Sequence, residues 1–169
     1  VGDVIAWCLD TLTPLRLSSD YKVNETDPFS NGPSLQATQK TDIKRLFDTA
    51  YDTLLGAPNG QGSAAFQLAL WEIVNETDTG AGGAPVYDVE DGDFRATSNS
   101  GARAEANTLL AGLGGPASGN YRLVFLESAS NPASQNLISV VPVPLPAAGL
   151  LLLGALGGLA LGRRRRGDA

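Results

Sequence analysis

The sequence predicts an α+β domain, a mixed and mostly antiparallel sheet with about three helices, followed by one C-terminal helix of membrane-spanning length. Three observations predict it. Apolar residues recur at helical spacing in three windows between Ile43 and Leu113. Short runs rich in β-branched and aromatic residues flank that region on both sides. Last, an uncharged stretch from Leu145 to Gly162 runs straight into Arg163, Arg164, Arg165 and Arg166.

Val4 to Leu9 is apolar on both alternating faces, Val4, Ala6 and Cys8 against Ile5, Trp7 and Leu9, as expected of a strand buried on both sides with Cys8 in the interior. Thr11 to Gln39 dissolves into Ser, Asp, Asn, Pro and Gly and reads as a long surface loop. Ile43, Leu46, Phe47, Ala50, Tyr51, Leu54 and Leu55 define an amphipathic helix, with Thr41 or Asp42 as its cap and Gly56 and Pro58 as its stop. After the turn at Asn59 to Gly62, a second helix is expected with Ser63 as N-cap and Ala64 to Val74 as body. Pro85 to Arg95 suggests a strand or hairpin around Asp91-Gly92. Ala102, Ala106, Leu109, Leu110 and Leu113 mark a third helix closed by Gly114 and Gly115. Tyr121 to Leu126 and Leu137 to Val141 are the closing strands, so the domain spans residues 1–141 and the tail residues 142–169.

Composition narrows the function. The chain has 169 residues, 43% of them hydrophobic, enough for one ordinary core. Its formal charge is −6; setting aside Arg163 to Arg166 and Asp168 leaves 8 basic and 17 acidic residues, a net of −9 that disfavours a nucleic-acid partner. Histidine is absent, which removes Ser/His/Asp and Cys/His catalysis and the commonest metal ligands. No catalytic residue, cofactor or metal ligand set is expected, and the chain does not read as an enzyme. Asp88, Glu90, Asp91 and Asp93 crowd around Gly92, but no distal bidentate Glu completes a calcium loop, so a solvated hairpin turn is expected there. A start at Val1 with no leader is what either signal-peptide removal or a truncated record would leave.

An 18-residue helix over 145–162 would span roughly 27 Å, close to the hydrocarbon thickness of a bilayer. The arginines behind it hold the C-terminus in the cytoplasm and put the domain outside. An ordinary single-pass anchor would look the same, except for Val143, Pro144, Leu145, Pro146 and Ala147. Motif, apolar helix and basic cluster together resemble the VPLPA variant of the PEP-CTERM sorting signals. That resemblance implies a Gram-negative bacterium, processing by an exosortase near the motif, transient residence in the inner membrane, and delivery to the cell surface or an exopolysaccharide matrix in a biofilm. Pro144 and Pro146 keep the motif extended and open to a protease.

Gln67 lies on the helical line of Leu70, Trp71 and Val74, where an unpartnered amide would cost about 1 to 3 kcal/mol, so it should be bonded. Trp7-Cys8-Leu9 and Phe66-Gln67-Leu68-Ala69-Leu70-Trp71 together resemble the two signatures of thioester domains, the Cys-Gln domains of surface adhesins. Trp7 departs from the usual residue before the Cys, and Phe66 replaces a frequent Thr. The resemblance implies an internal thioester between Cys8 and Gln67, an acylating group that an amine on a surface or matrix ligand would capture. Trp7, Phe66, Leu70 and Trp71 are the residues expected to keep water from the bond. Such a chain reacts once, as a covalent adhesin. The rival reading is a passive surface or matrix protein in which Cys8 and Gln67 are core residues.

Overall fold

The computed structural model describes residues 5–24, 34–56, 59–77, 79–80, 83–117, 119–131 and 133–144. Its strands are β1 (Trp7–Cys8), β2 (Tyr21–Asn24), β3 (Tyr121–Ser128) and β4 (Leu137–Pro142), and its helices are α1 (Ala37–Gly56), α2 (Gly60–Asn75) and α3 (Ser100–Ala111), with a short 3-10 turn at Gly112–Gly114. The sheet runs β1-β4-β3-β2, and each of its pairings is antiparallel, so the expected mixed character is absent among the described residues.

The core sits between this sheet and the helices. In β3, Tyr121 and Phe125 share a face by the strand period of two, and that face meets α1. A continuous file of ring contacts crosses the layers: Tyr121 to Tyr51 at 5.4 Å, Tyr51 to Phe47 at 5.5 Å, Phe47 to Phe66 at 4.9 Å and Phe66 to Trp7 at 4.5 Å. Offset and edge-on pairs of this kind are the favoured arrangements of aromatic rings. The file joins β3 to α1, α2 and finally β1, and so fixes β1 against α2.

Several expectations are corrected. β1 is a two-residue edge strand, not one buried on both sides: Ile5 is 49% exposed and Cys8 is half-buried, because among the described residues β4 is the one strand that pairs with it. The expected loop from Thr11 to Gln39 contains β2, a polar edge strand without apolar alternation, held by its register with β3. α1 begins at Ala37, a turn early, where the Gln39 side-chain Oε1 accepts from the Gln36 N–H at 2.9 Å, half of a capping box. Thr41 and Asp42 therefore lie inside the helix. α2 is capped by Asn59, whose side chain accepts from Gly62 N–H at 2.6 Å, so Ser63 is interior too.

Between Pro85 and Arg95 no strand forms; the backbone makes turns, with Gly92 at φ +86° and an isolated bridge from Pro85 to Thr79. The reason is competition for donors. Asp88 N–H is taken by Glu72 Oε1 at 2.7 Å, Asp93 N–H by Glu76 Oε2 at 3.0 Å and Val89 N–H by Asn107 Oδ1 at 3.0 Å. Side chains of the helices and of the α2 C-cap thus hold the groups a hairpin ladder would use. α3 closes at Gly112, whose N–H reaches the last carbonyls, with Leu113 buried in the turn that follows.

Val143 N–H donates to Asn120 C=O at 2.8 Å, and Val143 and Pro144 are exposed. Leu145, Pro146, Ala147, the apolar helix expected over 145–162 and Arg163 to Arg166 lie outside the described residues. Among the described residues no helix is long and apolar enough to cross a membrane.

Candidate functional site at the Cys8 and Gln67 junction

β1 presents alternate backbone groups to its two sides. Leu9 N–H goes inward to Asn136 C=O on the β4 side at 2.9 Å. Cys8 faces the other way, and there it meets Gln67: Cys8 N–H donates to Gln67 Oε1 at 3.0 Å, and Gln67 Nε2 donates to Cys8 C=O at 2.7 Å. One side-chain amide thus pairs with the strand as the peptide group of a further strand would. This satisfies the amide that the sequence places on an apolar helix line, and it brings together two residues 59 positions apart.

α2 is anchored for this by Phe66 and Leu70, both fully buried on either side of Gln67 in sequence. Of the residues expected to shield the junction, Trp7 and Phe66 stack at 4.5 Å with a 43° tilt, directly beside Cys8 and Gln67 in the chain. Trp71, one turn from Gln67, is half-buried and packs on Phe94 at 6.1 Å. Both indole N–H groups, of Trp7 and Trp71, are buried without an acceptor among the described residues. Burial pushes the Cys8 thiol above its ordinary range, which favours the neutral thiol over the nucleophilic thiolate.

Two further participants are not picked out by sequence reasoning. Asn75, at i+8 from Gln67 on the same helix face, donates to Trp71 C=O at 2.7 Å and meets Thr11 Oγ1 at 3.5 Å; the spacing of four through Gln67, Trp71 and Asn75 is the signal that points to it. Phe94 has no local signal, since its contact with Trp71 depends on the turn at Gly92.

The acidic segment does not converge. Glu90 pairs with Arg103 at 3.0 Å and Asp91 with Arg95 at 2.6 Å, Asp93 accepts from Thr77, and Asp88 accepts from Glu90 N–H and Asn107 Nδ2. Among the described residues no group of three acids, cysteines or histidines is arranged to hold a metal.

No protein-family model and no curated protein matches the sequence. The solved structures do offer a likeness: a three-helix, antiparallel-sheet fold of the kind found in a bacterial pilus adhesin. The particular structure is the N-terminal domain of the Streptococcus pyogenes pilus tip adhesin Cpa, at TM-score 0.50 and 18% identity, covering 85% of this chain and 80% of that one. At this identity the likeness establishes the fold.

Proposed function

We propose that this chain is an exported surface or matrix protein in which Cys8 and Gln67 form an internal thioester that acylates an amine on a partner. The observation that carries the reading is the reciprocal pairing of the Gln67 amide with the Cys8 main chain. It holds the Cys8 main chain against the Gln67 amide, and holding the two residues together would lower the entropic cost of ring closure. In the closing step the Cys8 sulfur attacks the Gln67 side-chain carbon, the C–N bond breaks, and the nitrogen leaves as ammonia carrying the thiol proton. The Cys8 N–H, already on Oε1, would hold the oxyanion of that step. In capture, an amine nitrogen attacks the same carbon, the C–S bond breaks, and the sulfur takes the proton the nitrogen gives up. The cysteine is regenerated but the glutamine is used up, so the protein works once and is no turnover catalyst.

The pilus-adhesin fold and the VPLPA-like tail support delivery outside the cell. The tail would cross the inner membrane until an exosortase of a Gram-negative cell processes it near Val143 to Ala147, with Arg163 to Arg166 held in the cytoplasm. The second reading, a passive surface or matrix protein, is favoured by the same clamp, since both polar ends of Gln67 are already satisfied without any covalent bond.

Intact mass decides between them. The wild-type protein should fall short of its calculated mass by one ammonia, and Cys8→Ala should show no deficit. Full wild-type mass with a freely alkylatable thiol would overturn the thioester; a protein hydrolysed after closure would instead carry Glu in place of Gln67.

A further inference from the structure

We propose that the loop leaving β1, with Leu12, Leu15 and Leu17 on its surface, is the docking platform for the partner to be acylated, and that this partner is a basic protein surface presenting a lysine beside an apolar patch. This rests on the thioester reading above. The three leucines are 93%, 53% and 91% exposed. They do not belong to a slack segment. Asp10 Oδ1 accepts from Leu12 N–H at 2.8 Å and Thr13 N–H at 3.2 Å. Further on, Arg16 N–H donates to Ser134 Oγ at 2.9 Å, and Pro14 C=O accepts from Gln135 N–H at 3.3 Å. Ser134 and Gln135 are buried, so interior polar groups hold the loop backbone inward while its leucines point to water. An ordered loop that keeps three large apolar side chains in solvent is unfavourable in the free protein but preorganised for contact.

Position ties the loop to the junction. Leu12 is four residues from Cys8, within about 14 Å even for an extended chain. Thr11 touches Asn75, on the helix face that carries Gln67 and Trp71. Phe94 packs on Trp71, and next to it Asp93 is exposed while Asp91 is paired with Arg95. The junction thus lies beside an apolar loop, in a domain of net charge −9. Charge complementarity selects a cationic partner and steers it inward, and the nucleophile such a partner offers is the lysine amine.

The test uses the purified chain, methylamine and two peptides of equal length with one lysine each. One peptide flanks the lysine with leucine, phenylalanine and two arginines, the other with serine, glycine and two arginines. Adducts are followed by intact mass. Wild-type protein should take up methylamine and should capture the apolar basic peptide about tenfold faster than the polar one. Leu12→Ser combined with Leu17→Ser should abolish that preference and leave methylamine capture unchanged. A preference that survives in the double variant overturns the docking platform and leaves the thioester standing. No methylamine adduct on wild-type protein removes the thioester, and the platform with it. Leucine-dependent binding to phosphatidylcholine vesicles, with no peptide preference, overturns the protein partner in favour of a membrane surface.

Discussion

Gln67 makes two hydrogen bonds to a strand 59 residues away, and both engage backbone groups at a sheet edge. Removing the amide leaves the Cys8 N–H and C=O to whatever water reaches them. In a Cys8→Ala background, where no covalent bond forms, Gln67→Ala should lower stability by about 1 to 3 kcal/mol. Urea unfolding of the two proteins measures this, and equal midpoints would mean that water replaces the amide without cost. The need for a partner was legible at Gln67, because a polar side chain on an apolar helix line has to be satisfied. That the partner is the Cys8 main chain was not legible from hydrogen-bonding arithmetic, since any backbone group would satisfy it. The paired resemblance around Cys8 and Gln67 named the same two residues by a different route.

At the scale of elements, α2 is what carries Gln67, and its start is set by Asn59 and not by Ser63. Asn59→Ala should therefore cost about 1 kcal/mol, and Ser63→Ala should stay within about 0.5 kcal/mol of wild type in the same thermal melts. A larger loss at Ser63 would return the cap to the later residue. Both residues suit an N-cap, so composition alone could not choose; Gly60 and Gly62 are weak helix formers that packing nonetheless draws into the first turn. The turns from residue 85 to 96 repeat the lesson. Asp91-Gly92 is a fair hairpin signal, but Glu72 on α2, Glu76 at its C-cap and Asn107 on α3 take the backbone donors first.

Across the whole molecule, that arrangement leaves Glu72 fully buried with one carboxylate oxygen unpartnered among the described residues. Burial is the main cause that pushes its carboxyl from 4.5 up to about 7, with Glu76 and Asp88 adding to it and the Asp88 N–H opposing. The folded state therefore holds this proton more tightly than the unfolded chain. Stability from Glu72 is complete below pH 4.5 and is lost as pH rises through about 7, a loss on the order of 3 kcal/mol. Glu72→Gln keeps an acceptor for Asp88 N–H and removes the titration. Its urea midpoint should gain on wild type between pH 5 and pH 7.5, and parallel curves at those two values would contradict the burial of a titrating Glu72.

By itself the sequence determined three helices, the two closing strands, an acidic domain without histidine chemistry, and Cys8 and Gln67 as the residues to watch. Those features are local: helical periodicity, β-branched runs and residue type are properties of a short window. Tertiary structure alone decided that β1 is an edge strand, that β2 exists, which residue caps α2, and how the segment after Pro85 turns. Each of those depends on which distant group reaches a backbone donor first, and the window around a residue holds no record of that competition. The junction belongs to both accounts. Its residues were visible in the chain, but the packing of Trp7 on Phe66 and the pairing of β1 with β4, which set β1 against α2 so that the Gln67 amide closes on Cys8, belong to the tertiary structure.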